Sequence, residues 1–563
     1  MFAARGAFLL AIYMNTIKYF VKRYMPNKVH IIASNLKSTL NYYKYFKILK
    51  NLYYSVSSND IGNERIVFNL VRSHAEGPLF FESFLATKLH ELGAKTNILI
   101  DDGVLRHHDS VQYQDFIKIN DVVFRTKIAS NFLKRIPLYK KYSEFIDRNG
   151  LKEVSLIADS FIKKNKYFYK NINLKPYIDS SVIRYFKSAI GFPEKECGYN
   201  KIFKICTENA VISILVALKV EELLNPDIII TSHGIYSTWG PFYKYFKQKG
   251  RKVITYGFSG CINNGVIFSK KGLVTNKHDD GFFNSYKDKI DIRVAKENIK
   301  NVFNKRFKGE SDDLIRYNNF TNNNNILRKV KDVIEGRKAF ALFPNVFWDA
   351  SLTNTNSIFN SPEEWIIETI KYFMKRKDKI LIIRVHPSET IFTRTCIGIK
   401  EIIESKIKKD ISNINNIQFI PSNNSLISYS LFPYIKGAIV YNGTIGLEAM
   451  YKNIPVFIAG KAPYSNKGFS IDFKNKEEYF QAFNKPEKIL KYQEYNKENL
   501  IKFLFYYFTL NEIPLSFLNE KKPAYPKLNY IPSMILNDKN LKYIAETILD
   551  KHDFFQEWHW NES

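Results

Sequence analysis

The feature that most constrains this chain is a recurring unit. A short, largely apolar run ends in a polar loop marked by Gly, Pro, Asn or Asp, and a helical stretch then leads to another apolar run. Arg65-Ile-Val-Phe-Asn-Leu-Val71 is followed by a helical pattern over Phe80 to Leu92, Gly93 and the run Thr96-Asn-Ile-Leu-Ile100. The unit recurs as Pro226-Asp-Ile-Ile-Ile-Thr231, a helix from Gly240 to Lys249 and Arg251-Lys-Val-Ile-Thr-Tyr256. Runs that are mostly apolar and do not alternate suit strands buried on both faces, and parallel neighbours need a crossover, usually a helix. A second series has the same form: Ala339 to Phe343, a helix from Glu363 to Met374, Lys379 to Val385, Gly437 to Tyr441, a helix from Gly446 to Tyr451, and Pro455 to Ala459. Two doubly wound α/β halves are therefore expected, without a residue-level repeat and without heptads.

Between the two series, residues 271–335 hold few apolar runs, many charges and the tract Asn318-Asn-Phe-Thr-Asn-Asn-Asn-Asn325. They read as a linker. The expected partition is a helical lead-in over 1–60, an N-terminal domain over 61–270 with a helical insertion at about 111–200, the linker 271–335, a C-terminal domain over 336–535, and a C-terminal helix over 536–563. Ligands of open α/β sheets sit outside the carboxyl ends of the strands, so the site is expected in a cleft where the two halves face each other.

Composition narrows the class. Of 563 residues, 45% are hydrophobic and 25% charged, which suits a globular chain. Lys and Arg outnumber Asp and Glu by 84 to 55, a net charge of +29 that favours anionic partners such as phosphorylated ligands or an acidic membrane leaflet. Richness in Lys, Asn, Ile, Tyr and Phe also follows from an AT-rich genome, so the charge weighs little, and with nothing but charge behind it nucleic-acid binding is not expected. Cys197, Cys206, Cys261 and Cys396 are far apart and form no CxxC pair, against a disulfide framework or zinc site and in favour of a cytoplasmic protein. Phe2 to Met14 is apolar but broken by Arg5, too short to span a bilayer, and lacks the pattern of a signal peptide. Continued through Val21, with Lys18, Lys22 and Arg23 interleaved, it reads as a basic amphipathic helix on a membrane surface, or equally as a helix packed on its own domain.

Polar clusters follow the strands in both halves. Arg384-Val-His386-Pro387-Ser388-Glu389 places a His beside a Pro-fixed turn, where it donates to a phosphate or moves a proton, or is an ordinary loop His. Tyr441-Asn442-Gly443-Thr444-Ile445-Gly446-Leu447-Glu448 turns from strand to helix. Its backbone N–H groups suit a phosphate and Glu448 a ribose diol; alternatively Thr444 merely caps the helix. The spacing matches neither a GxGxxG fingerprint nor a Walker A loop. Asp101-Asp102-Gly103, followed by Arg106-His107-His108-Asp109, offers a general base, a metal ligand or a simple turn. Ser232-His233-Gly234-Ile235-Tyr236-Ser237-Thr238-Trp239 suits stacking on a sugar, with Tyr236 and Trp239 as acceptor contacts. Ser73-His74-Ala75-Glu76-Gly77-Pro78 supplies further acceptor candidates in His74 and Glu76, and Gly460-Lys461-Ala462-Pro463 supplies a cation in Lys461.

The blocks around Arg384, His386 and Pro387, around Asn442 to Ala449, and at Gly460 to Tyr464 resemble the capsule polysaccharide biosynthesis proteins of bacteria, a group that includes the Kdo transferases of capsule assembly. The resemblance covers about residues 339–472; Asp101-Asp102-Gly103 and Ser232-His233-Gly234 are similar to surface-polysaccharide glycosyltransferases more loosely. It implies a GT-B-like fold: two Rossmann-like doubly wound domains facing a cleft, acceptor half first and nucleotide-sugar half second. It implies that Asp101 or Asp102, with His233, carries catalysis, the carboxylate being a base, or a nucleophile in a retaining enzyme. Arg384, His386, Asn442, Gly443, Thr444, Gly446, Glu448 and Lys461 would then hold the donor. Asn442-Gly443-Thr444 stands where the Ser pair of CMP-sialyltransferases is expected, so UDP or another carrier competes with CMP. The implied function is metal-independent transfer of a sugar, with a CMP-sugar such as CMP-Kdo favoured, to a growing capsule polysaccharide or glycolipid. No cofactor is implied beyond the nucleotide-sugar substrate. The expected location is cytoplasmic or peripheral on the inner face of the membrane, beside capsule-assembly proteins. The rivals are a polymer transferase of the glycerol-phosphate type and a non-catalytic glycan-binding or scaffold subunit.

Overall fold

A computed structural model describes residues 27–56, 63–105, 116–187, 194, 198–270, 272–274, 282–310, 324–334, 336–346, 348, 357–389, 398–522, 524–527, 529 and 532–551. The basic stretch 2–23, the cluster Arg106 to Asp109, Cys197, Cys396 and most of the Asn-rich tract lie outside the described residues.

The N-terminal half begins with helix α1 (Asn27–Tyr54), then strand β1 (Arg65–Val71), helix α2 (Glu76–Glu91) and strand β2 (Lys95–Ile100). The insertion follows: α3 (Phe116–Leu133), β3 (Tyr139–Lys141), α4 (Arg148–Lys164), the hairpin β4 (Phe168–Tyr169) and β5 (Ile172–Asn173), α5 (Lys175–Phe186) and α6 (Tyr199–Leu224). Asp147 caps α4 by accepting from the Gly150 amide at 2.8 Å. The sheet resumes with β6 (Ile228–Ser232), α7 (Gly240–Gln248), β7 (Lys252–Phe258) and β8 (Gly265–Ser269). The C-terminal half contains α8 (Ile292–Phe307), β9 (Lys338–Phe343), α9 (Pro362–Met374), β10 (Lys379–Arg384), β11 (Ile417–Ile420), β12 (Gly437–Val440), α10 (Ile445–Tyr451) and β13 (Val456–Ile458). Strand β14 (Ile513–Pro514) and helix α11 (Lys539–Ile548) come last.

The strands assemble into a seven-stranded sheet ordered β14-β8-β7-β6-β1-β2-β3 and a five-stranded sheet ordered β11-β10-β9-β12-β13. The second is parallel throughout, and the first is parallel except at β8 and β14. All six residues of β10 are buried, the consecutive apolar run Ile380 to Ile383 suiting a strand covered on both faces. Each order reverses once, between β1 and β6 and between β9 and β12. Those reversals are the switch points at which doubly wound sheets take ligands.

The observed partition differs from the expected one at both ends of the second half. Helix α8 lies within the presumed linker, yet Ala295, Ile299 and Phe303, spaced four apart on one face, belong to the same core as β9 and β12. At the other end, β14 pairs with β8, Phe517 packs 4.9 Å from Phe84, and Leu541, Ile544 and Ile548 join the core of the first half. The chain therefore crosses back, and residues 513–548 belong with the N-terminal sheet.

Candidate functional site

The loops at the two switch points carry the polar residues. In the C-terminal half, β12 leads through Tyr441 to Thr444 into α10. The Tyr464 hydroxyl donates to the Gly443 carbonyl at 2.8 Å and braces this turn. A Cβ on Gly446 would lie 2.2 Å from that hydroxyl oxygen, so Gly446 is a glycine for packing. The Thr444 side chain makes no cap hydrogen bond, and the amides of Gly443, Thr444 and Ile445 have no acceptor among the described residues. Asn345, just past β9, has a buried side-chain oxygen without a hydrogen bond, 3.7 Å from the Cβ position of Gly443. Across the switch point, then, stand three backbone donors, a hydroxyl and an amide. Nothing but its place after the run 339–343 marks Asn345 in the sequence.

His386 stands two residues past β10, one strand from the switch point. Its Nδ1 accepts from the Ser388 amide at 3.1 Å, so the neutral ring carries its proton on Nε2. Burial, and secondarily the Arg384 charge, pull its pKa down to about 4. At neutral pH His386 is an uncharged N–H donor.

Two donor-binding expectations fail on geometry. The Arg384 guanidinium is 2% exposed and donates to the carbonyls of Val385, Pro421, Asn424 and Leu426 at 2.7–3.0 Å, so it fastens the loop after β11 rather than a phosphate. Glu448 is 2% exposed and accepts from Arg306 Nε at 2.9 Å; Arg306 in turn lies 4.8 Å from the Phe508 ring. That buried pair ties α10 to α8 and does not offer the carboxylate to a ribose. Lys461 is exposed in the loop after β13, and Asn442 is buried in the turn itself.

In the N-terminal half the switch-point backbone is strained on both sides. A bulge in β1 puts Val71 at φ +54°, and His233, just past β6, sits at φ +24°. Such conformations are costly for residues with a Cβ and cluster at functional sites. The bulge brings the Arg72 guanidinium 4.6 Å over the Trp239 ring, while the His233 ring lies 5.9 Å from Trp239 and 6.5 Å from half-buried Tyr236. Burial, followed by the charges of Arg72 and Arg184, lowers the His233 pKa to about 3. His233 is therefore neutral, and in contact through Nδ1 with the Ser232 hydroxyl. Arg184, half-buried near the end of α5, makes no hydrogen bond or ion pair with a described residue. Two guanidiniums therefore stand close to one neutral imidazole. Trp239 itself is 1% exposed and belongs to the core, which corrects its expected role as a stacking platform.

Behind Arg72 lies a carboxyl that sequence reasoning missed. Glu82 on α2 is fully buried and accepts from the Tyr256 hydroxyl at 2.5 Å; desolvation raises its pKa to about 8, leaving it protonated at neutral pH. An acid inside a helix between Phe81 and Ser83 shows no motif. His74 and Glu76 flank the same switch point and are held by α1 and α3: Tyr42 donates to the His74 carbonyl at 2.8 Å, Tyr45 to Glu76 at 2.5 Å, and His74 Nδ1 lies 3.1 Å from the Thr126 hydroxyl.

The adjacent carboxylates after β2 have separate duties. Asp101 is fully buried, and its Oδ1 accepts from the amides of Gly103, Val104 and Leu105 at 2.9–3.1 Å. It closes the turn and is withdrawn from catalysis. Asp102 remains partly exposed, accepting from the Ser143 hydroxyl at 2.6 Å with Lys141 at 3.7 Å. Between the halves, the Lys187 ammonium lies 5.7 Å over the Trp348 ring.

The family model for the capsule polysaccharide biosynthesis protein matches residues 294–507, from α8 to just short of β14. That segment contains Asn345, His386 and the 442–446 turn. Among curated proteins none matches the chain. Among solved structures, the β-Kdo 2,7 transferase of KpsC from Thermosulfurimonas dismutans is similar at 10% identity and TM-score 0.30, over 58% of this chain and 89% of that one. The S. aureus MnaA–UDP co-structure is similar at 11% identity and TM-score 0.29, over 87% and 98%. The wall teichoic acid polymerase TagF is similar at 10% identity and TM-score 0.23, over 92% and 98%.

Proposed function

We propose that this chain, whose residues 294–507 match the family model of the capsule polysaccharide biosynthesis protein, is a GT-B glycosyltransferase moving a sugar from a nucleotide donor to a growing capsule or surface glycan. The observation that carries the proposal is the turn between β12 and α10, where the amides of Gly443 to Ile445 have no acceptor among the described residues. Those amides and the Thr444 hydroxyl, with the Nε2–H of neutral His386 one strand away, suit the phosphate of a leaving nucleotide, CMP being the favoured one. Preorganised donors of this kind stabilise the charge that develops as the glycosidic bond breaks. The Arg72 and Arg184 guanidiniums beside neutral His233 suit an acceptor in the first half. Of the paired carboxylates, Asp102 is the one with reach, and it serves as base or nucleophile. Such an enzyme works in the cytoplasm against the inner face of the membrane, where lipid-linked acceptors are presented.

A thermal-shift series with CMP, UDP, GDP, CDP and ADP tests the donor half. A nucleotide at 100 times its Kd stabilises by about 2.7 kcal/mol. A shift with CMP that His386→Ala abolishes supports the proposal, and Asp102→Asn is expected to keep that shift while losing transfer. A shift with UDP or GDP changes the donor, one with CDP alone favours glycerol-phosphate transfer, and none at all favours the scaffold function.

A further inference from the structure

The outward face of α1 has a composition that packing does not explain. Leu40, Tyr43, Lys44, Lys47, Lys50 and Tyr54 are all exposed, the three large apolar residues at 63%, 44% and 59%. At 3.6 residues per turn they fall within an arc of about 120°. The opposite arc, Tyr42, Tyr45, Phe46, Leu49 and Leu52, is buried in the core of the N-terminal half. The helix holds no Asp or Glu from Asn27 to Tyr54. Lys134 and Arg135 at the end of α3 extend the face, with Arg135 at 5.9 Å from the Phe132 ring and Tyr43 packed 6.0 Å from that ring. Lys47 lies 4.8 Å over Tyr43. Among the described residues none of these five cations has a carboxylate partner.

We infer that this face of α1 docks on an anionic phospholipid bilayer, with the helix lying flat and its lysines among the headgroups. Charge complementarity supplies the long-range attraction. Tyr side chains with an apolar body and a polar tip, and an exposed Leu in the middle of the arc, suit the interfacial layer. A nucleic-acid backbone would satisfy the lysines but leave Leu40 facing phosphate. The inner face of the same helix holds the loop after β1 through Tyr42 and Tyr45, so docking places His74 and Glu76 about one helix diameter, roughly 10 Å, from the headgroups. The benefit to a lipid-linked acceptor rests on the glycosyltransferase proposal; the docking itself does not.

Cosedimentation of the full chain with vesicles tests it. The chain is expected to bind vesicles of phosphatidylcholine with roughly one-third phosphatidylglycerol, to release as salt rises, and to ignore pure phosphatidylcholine. Each lysine at an anionic surface contributes about fivefold, so K44E/K47E/K50E is expected to lower partitioning by about 100-fold with an unchanged melting temperature. The charge-matched control K163E/K164E/K166E, on exposed lysines around the end of α4, is expected to retain most of it. Equal losses in both triples would assign binding to diffuse charge and overturn the inference, as would wild-type binding by K44E/K47E/K50E or equal binding to pure phosphatidylcholine. Tighter capture of an oligonucleotide than of anionic vesicles through this face would likewise overturn it. Vesicle binding is read without substrate, so its failure is separate from a failure of the nucleotide assignment.

Discussion

The neutral state of His386 gives the most direct test of the donor-side geometry. The Ser388 amide fixes Nδ1 as an acceptor, and burial lowers the pKa from 6.5 to about 4. A base with a depressed folded pKa contributes stability that is fully present above pH 6.5 and is lost as pH falls toward 4, because the unfolded chain takes up a proton that the folded chain refuses. At pH 5 the loss is about 1.5 pH units at about 1.4 kcal/mol each, or about 2 kcal/mol. Other groups titrate in the same window, Glu82 with the opposite sign, so the measurement is a difference. His386→Asn keeps an acceptor near the Nδ1 position and removes the titration. The melting temperature of each protein is followed from pH 7.5 to 5.0. For a unit of 150–250 residues, 1 kcal/mol moves the midpoint by about 2–4 °C. The wild type's advantage over the variant is therefore expected to shrink by about 4–8 °C across that range. Parallel curves would mean that the ring titrates near 6.5 in contact with water, and the assignment of an uncharged Nε2–H donor would fall with it.

Two further expectations concern buried charge. Glu448→Ala strands Arg306 and is expected to destabilise by about 3–5 kcal/mol, whereas R306M/E448L stays within about 1 kcal/mol of wild type; chemical denaturation that finds the single variant harmless would refute the pairing. Glu82→Gln keeps an acceptor for Tyr256 without a titrating proton. The wild-type carboxyl, with its pKa raised to about 8, costs stability as pH rises from 4.5 toward 8, so the variant is expected to match wild type at pH 4.5 and exceed it by up to about 3 kcal/mol at pH 7, a gain absent if the carboxyl is already ionised.

What the sequence determined on its own is the alternation. Runs such as Arg65–Val71 and Lys379–Arg384 cannot be soluble surface, and as short elements separated by helical stretches they pair in parallel under helices. The positions of the loops at strand ends follow from that, which is why His74, His233, His386 and Thr444 were legible as candidates. Tertiary structure decided which loops matter. The switch points depend on strand order, and nothing local distinguishes β6 from β3 as the neighbour of β1. It also decided the fate of each charge. Asp101 and Asp102 are adjacent, yet one faces three amides and the other a Ser hydroxyl, because successive positions leave a strand end in different directions. Arg384 and Glu448 looked like ligand contacts because they sit in the right motifs; their partners, the carbonyls after β11 and Arg306 on α8, are 37 to 142 residues away in the chain. Glu82 and Asn345 had no motif at all, and only the packing around them made one a protonated acid and the other an unmet acceptor. Sequence sets what each segment can bury, but desolvation and pairing are properties of the assembled neighbourhood, and they alone settle which polar groups are left for a ligand.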